Sequence, residues 1–380
     1  MKTDMRVALV PCSTYRASMV YRQTKKVWES LGIPDLTGKQ VLVKPNILVD
    51  ALPEKAVTTH PYLVEAVCRI ISERGGSPMV GDSPGLQKTG FSPTRCGIAQ
   101  VCERLDIPWV DFTAKTTTTV KNPAAVCQQR FTVASAAVEA DYIVNLPKMK
   151  THQLMYTTGA VKNLFGLIPG ISKSSFHLRY PNRDKFADML LDLCETIPTE
   201  IHIMDAVIAM EGPGPGNGSP KSIGAIIAAK DPLALDLCVS YLMHESPPRI
   251  PILAHGYQRG LLSTLDHTKL EYIIDKPELY RPESFRRIER SGIIPSLFTK
   301  VRSFLKPSSP GNDSPFPKIS SEKCILCKAC IEICPADALS LQMVPDTQEQ
   351  RVIVDRASCI RCYCCHEVCP VHAVTIEKNP

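Results

Sequence analysis

No apolar run in this 380-residue chain approaches the roughly 18 residues that a membrane-spanning helix needs. No secretory leader is expected either. Residues 5–11, Met-Arg-Val-Ala-Leu-Val-Pro, read as a first strand, so a cytoplasmic location is expected. There is no G-x-G-x-x-G and no Walker loop, which removes the usual fingerprints of nucleotide binding. No basic run or aromatic stacking pattern supports nucleic acid as a partner. Tight metal-ligand spacing is absent before residue 300.

What the chain has in quantity is cysteine, 16 residues in all. Eight fall into two complete C-x2-C-x2-C-x3-C-P runs: Cys324, Cys327, Cys330, Cys334 with Pro335, and Cys359, Cys362, Cys365, Cys369 with Pro370. Three thiolates on one tight loop can cap three irons of a cubane, and the fourth ligand must come from elsewhere. In two-cluster ferredoxins it comes from the other run. The spacing therefore assigns one [4Fe–4S] cluster to Cys324, Cys327, Cys330 and Cys369, and a second to Cys359, Cys362, Cys365 and Cys334. Zinc would need only two C-x2-C pairs and leaves the third cysteine and the Cys-Pro step unexplained. A disulfide framework belongs to small secreted domains. Cys364 reads as a non-ligand inside the second run, and the other seven cysteines read mostly as small core hydrophobes.

The two runs also form an internal repeat, each half a cysteine loop, a short helix and a short strand. So small a module has too little core to stand alone, and clusters would staple it. The net charge of +6 is uneven: from residue 319 onward six Lys/Arg stand against eight Asp/Glu, so the preceding part carries +8. That favours anionic substrates or partners. Residues 306–317 are rich in Pro and Ser and read as a semi-rigid linker. Residues 291–305 are basic and amphipathic, a segment expected to pack on the body or a partner, with contact to a membrane surface as the alternative. The expected division is a body at 1–300, a linker at 301–318 and a ferredoxin module at 319–380.

The body alternates strands and helices. Residues 40–44 read as a strand, a helix opens at Thr59-His60-Pro61 and closes at Gly75-Gly76, and residues 79–82 form the next strand. Further strands are expected at 108–112, 141–145, 201–205 and 223–229, with helices near 94–105, 183–196 and, after Asp231-Pro232, to about Leu242. This is an α/β fold: a mainly parallel open sheet with helices on both faces. Its polar residues cluster at strand ends, where open sheets bind ligands. They are Lys44, Asp82, Asn145, Lys148, Lys150, His152 and Asp205, with His60, Lys162 and the glycine-rich turn 210–218 nearby. Lys148 and Lys150, two apart on an extended segment, would point the same way. Together Lys44, Lys148, Lys150, Lys162, His60 and His152 would make a positive pocket for a carboxylate or phosphate, with His60 and His152 as acid–base candidates; Asp82, also a catalytic candidate, and Asp205 could ligate a metal or cap helices.

These motifs resemble the family catalogued as domain of unknown function 362. The marks are Lys-Pro-Asn at 44–46, Thr-Thr-His-Pro at 58–61, Gly-Asp-Ser-Pro-Gly at 81–85, Pro-Lys-Met-Lys-Thr-His at 147–152, Gly-Ala-Val-Lys-Asn-Leu-Phe-Gly at 159–166 and Met-Glu-Gly-Pro-Gly-Pro at 210–215. Members often carry a C-terminal two-cluster ferredoxin domain, as the resemblance implies here; no catalytic residues transfer with it. Three readings stay open. The protein passes low-potential electrons from a redox partner to an anionic small molecule at the body, or is a pure carrier whose body docks partners, or is a non-redox enzyme with structural or sensing clusters.

Overall fold

The computed structural model describes residues 4–85, 90–114, 116–170, 172–288, 315–344 and 349–377. The basic segment 291–305 and most of the linker lie outside these residues. The body is built on a ten-stranded sheet. Its order runs Glu271–Ile274, Arg6–Pro11, Ser219–Ala229, Ile201–Glu211, Tyr142–Leu146, Gln40–Pro45, Ser77–Asp82, Trp109–Asp111. Lys148–His152 and Tyr156–Thr158 attach beside Ile201–Glu211. The sheet is mixed and mostly parallel. Gln40–Pro45 runs parallel to both neighbours, and the crossover through the helix Pro61–Glu73 accounts for its pairing with Ser77–Asp82. The antiparallel exceptions centre on Ser219–Ala229, which pairs with Arg6–Pro11 and Ile201–Glu211.

Helices cover both faces because each face carries its own apolar set. On one side Val41, Val43, Val144 and Ile203 pack under Trp28, Val64, Val67 and Ile71. On the other Leu42, Ile143 and Met204 meet Phe186, Leu190, Leu235 and Leu253. The caps follow from local chemistry. Pro61 opens its helix and the His60 ring accepts from Tyr62 N at 3.2 Å. Asp231 accepts from the Leu233 and Ala234 amides at 2.8 and 2.9 Å, opening Pro232–Leu242 as expected. One strand departs from expectation: Ile201–Glu211 continues past Asp205, with a bulge between Ala206 and Ile208. Asp205 therefore lies within the sheet and not at its edge.

The cysteine module starts earlier than its motif. Phe316–Ile319 pairs with Val374–Glu377, so residues 316–318, expected in the linker, belong to it. A second hairpin joins Leu339–Met343 to Gln350–Val354. Its core is small, Cys330, Leu339, Val352, Cys365 and Val374. The module is seated on the body. Tyr363 is buried within the body's own apolar core, and Asn217 Nδ2 donates to His366 O at 3.4 Å.

Candidate functional site

The eight motif cysteines line two separate cavities. One, of about 330 Å³, is walled by Cys324, Cys327, Cys330 and Cys369. The other, of about 300 Å³, is walled by Cys334, Cys359, Cys362 and Cys365, with Cys364 beside them. The chain thus folds each C-terminal cysteine of a run across to the three thiols of the other run. Backbone conformation repeats with the motif: Leu326, Lys328 and Asp337 have positive φ, and so do Arg361, Tyr363 and His372, each 35 positions on. Successive residues of alternating hand turn their amides to one side, a concavity suited to anionic sulfur. The crossing thiols also receive amides in matching geometry, Ala338 N to Cys334 Sγ at 3.3 Å and Ala373 N to Cys369 Sγ at 3.2 Å.

These donors fit iron–sulfur cubanes. Among the described residues no three His, Cys, Asp or Glu donors close on a single point as one zinc ion would require. The thiols instead surround a void. Burial, with Cys324 and Cys327 alongside, pushes the Cys330 thiol up to about 11. A Cys330 thiolate is thus costly unless a cationic metal core is gathered beside it.

Against the second cavity lies a larger one, of about 720 Å³ including its open mouth, between the sheet edge and the module. Four expected residues line it together: Lys44, Lys150, His152 and Lys162, with Asp82. Lys44 at the end of its strand is fully buried and paired to Asp82, Nζ to Oδ1 at 2.8 Å. Asp82 Oδ2 accepts the Ile47 amide at 2.7 Å. Gly166 is required at this point, since any side chain there would strike the Asp82 carboxylate and the Lys44 ammonium. Among the described residues Lys150 pairs with no carboxylate: its Nζ donates to Asn46 Oδ1 at 2.8 Å and Val57 O at 2.7 Å. His152 accepts the Leu154 and Met155 amides on Nδ1 at 3.1 and 3.2 Å, which leaves its proton on Nε2. That nitrogen sits 3.0 Å from Glu367 Oε1 of the module, off the line of a well-aligned hydrogen bond. Burial lowers the His152 pKa to about 4, so the ring is neutral at pH 7. Burial opposes ionisation of Glu367, yet His152, Lys162 and His177 together hold it well below the usual carboxylate range.

Two expected residues go elsewhere. Lys148 and His60 do not line this cavity, so the six-member cluster read from strand ends is corrected to four. Lys148 Nζ donates to Asp205 Oδ2 at 2.8 Å and to Tyr15 OH at 2.9 Å. His60 stacks flat on Tyr15, ring centroids 3.6 Å apart, and its amide donates to Asp205 at 2.9 Å. Lys148 and Lys150 thus finish in different networks although they lie two apart. The cavity has members that strand ends do not reveal: Lys173 and His177, one turn apart on the helix Ser172–Arg179, and Cys364, Glu367 and Val368 from the module. Lys173 Nζ donates to Ser83 Oγ at 2.9 Å, to Pro84 O at 2.6 Å and to Ser83 O.

Burial first, and then neighbouring lysines, lower the pKa of Lys150 and of Lys173 to about 7. In the unfolded chain these lysines keep their protons to about 10.4. The folded state therefore binds fewer protons above pH 7, and stability rises with pH there; below pH 7 both states are protonated and the slope vanishes. Each group contributes at most ~1.4 kcal/mol per pH unit. Denaturation between pH 6.5 and 8.5 is expected to show a steeper rise for the parent than for Lys150→Met. Equal slopes would show that Lys150 keeps its proton across this range.

The two cavities meet at Cys364, which lines both and is buried. A mostly parallel α/β sheet with a ferredoxin-type module seated on one edge defines the class: a 4Fe–4S cluster-binding iron–sulfur protein. The comparisons agree. The family model described as Domain of unknown function (DUF362) matches residues 41–240, and the 4Fe-4S dicluster domain matches residues 323–373. The chain is 31% identical over 293 residues to the thylakoid-associated protein sll1697 of Synechocystis sp. (strain ATCC 27184 / PCC 6803 / Kazusa), covering 73% of this chain and 90% of that one. This protein belongs to the DUF362 family. Among solved structures, the lactate racemase apoprotein from Thermoanaerobacterium thermosaccharolyticum aligns at 11% identity and TM-score 0.43, over 64% of this chain and 58% of that one. A Thermotoga maritima protein aligns at 14% identity and TM-score 0.38, over 56% and 55%. No helix among the described residues is long and apolar enough to cross a membrane.

Proposed function

We propose that this protein passes low-potential electrons between a redox partner and an anionic small molecule bound at the sheet edge. The observation that carries the reading is the shared wall: Cys364 borders both the second thiol cavity and the lysine-lined one. Two [4Fe–4S] clusters, one on Cys324, Cys327, Cys330 and Cys369 and one on Cys359, Cys362, Cys365 and Cys334, would supply one-electron transfer. The rest falls to the chain. Lys150, Lys162 and Lys173 attract a carboxylate or phosphate. Lys150 and Lys173, with pKa values near neutrality, can also exchange a proton with the bound molecule. The module roofs the cavity and limits water. The Ala338 and Ala373 amides donate to the sulfurs of the crossing cysteines, contacts of the kind that orient metal ligands.

The two halves of the module are not equivalent in their surroundings. Ile325 is 61% exposed and Leu326 36%, whereas Tyr363 and Cys364 are 3% and 6% exposed against the body. We place the redox partner at the open first loop, where exposed Lys323 and Lys328 flank the apolar pair and suit an acidic surface. A carrier that only docked partners would have no use for three lysines enclosed at the other side. The sixteen thiols suit a reducing compartment, and we place the chain in the cytoplasm.

The test is EPR on dithionite-reduced protein titrated with phosphate. One of the two reduced signals is expected to change in the parent and to stay fixed in Lys150→Met. Phosphate that binds and leaves both signals unchanged would separate the pocket from the redox centre and overturn the reading.

A further inference from the structure

We propose that the ligand of the lysine-lined cavity is a small dianion, held by Lys150, Lys162 and Lys173 with His177 as a neutral hydrogen-bond partner. This deepens the reading of the cavity as an anion site and rests on it. The first argument is charge. Among the described lining residues four lysines face two carboxylates, Asp82 and Glu367. Lys44 and Asp82 close on each other and cancel. With every lysine protonated, three ammonium groups then share one carboxylate, an excess of two positive charges that Lys150 and Lys173 complete as pH falls through about 7. Lys150 and Lys173 are offered only neutral oxygens, and the Lys162 ammonium has neither hydrogen bond nor ion pair among the described residues. Lys150 and Lys173 are buried and Lys162 is half-buried; buried charge met only by neutral oxygens is costly, and a ligand of opposite charge removes the cost.

The second argument is independent of charge. His177 is 6% exposed, lines the same cavity, and among the described residues its Nδ1 has no hydrogen-bond partner. Orphaned buried polar atoms are rare, and this one belongs to a ring that lines the cavity. Its ring is locked by stacking on Phe186, centroids 4.4 Å apart, and by the edge of Phe165 at 6.1 Å. It cannot swing away to find water. Lys173, four residues earlier on the same helix, brings its ammonium to the same wall. A phosphate monoester or a short dicarboxylate meets both demands, two negative charges and oxygens to engage an imidazole.

An iron–sulfur group with four thiolates carries negative charge of its own, so the protein to test is the anaerobically purified, iron-loaded chain. Calorimetric titrations with phosphate, sulfate, succinate, acetate and chloride at one ionic strength read the preference directly. The dianions are expected to bind about tenfold or more tightly than acetate. Phosphate and sulfate ahead of succinate would indicate a compact head group, and the reverse order a dicarboxylate. The preference should fall in Lys173→Met and in Lys162→Gln, the latter removing a lysine with no bonds to break. Acetate binding as tightly as the dianions would overturn the dianion while leaving an anion site. Failure of every anion to bind would overturn that site as well. Phosphate affinity unchanged in both variants would place the binding elsewhere and overturn the proposal.

Discussion

Asp205→Ala is expected to cost about 3–5 kcal/mol, the penalty for leaving a buried lysine without its counter-ion. Against a typical total of about 5–15 kcal/mol, that is a large share of the fold's stability. Asp205 has no exposed surface, and four donors converge on its carboxylate. They are Lys148 Nζ at 2.8 Å, Tyr15 OH at 2.7 Å, the His60 amide at 2.9 Å and the Val207 amide at 3.3 Å. Burial opposes the charge, yet Lys148 and Tyr15 hold the carboxyl below its ordinary pKa. Truncation orphans the Lys148 ammonium inside the sheet and releases the start of the helix that His60 caps. The double variant Lys148→Met/Asp205→Leu removes both charges together and should recover most of the loss. Denaturation midpoints of the three proteins decide the matter. An Asp205→Ala variant within ~1 kcal/mol of the parent would mean that water reaches Lys148 after all.

That network also shows where sequence reasoning stops. The strand ends bearing Lys44 and Asp82 were legible because an apolar run, a polar step and a helix cap follow one another in the chain. Asp231 and its helix were legible for the same reason. Which lysine pairs with which carboxylate was not. Lys148 and Lys150 share one strand, but Asp205 claims the first because its own strand runs on through a bulge. Lys173 and His177 were missed because Ser172–Arg179 has no apolar periodicity and lies in a stretch rich in serine and lysine. Glu367 and Cys364 reach the cavity only through the docking of the module, and no local pattern encodes a contact between segments 200 residues apart. The one available signal was the polar density of Cys364-Cys365-His366-Glu367, more than cluster ligation alone needs.

The second large effect concerns the crossing cysteines. Cys334→Ser lies in the first run, yet it is expected to empty the second cavity, because Cys334 stands with Cys359, Cys362 and Cys365. Cys369→Ser should empty the first cavity, with Cys324, Cys327 and Cys330. Each variant is expected to lose about half of the parent's iron. Their consequences should differ. Cys334→Ser removes the group beside Cys364, so the anion-sensitive EPR signal disappears. Cys369→Ser keeps that signal and loses the other. If Cys334→Ser instead abolished the anion-insensitive signal, each run would be holding its own cluster and the crossing would be wrong.

Iron and acid-labile sulfide, determined on anaerobically purified parent protein, test the account most directly. About eight of each per chain are expected from two cubanes. About four irons, or zinc without sulfide, would contradict it.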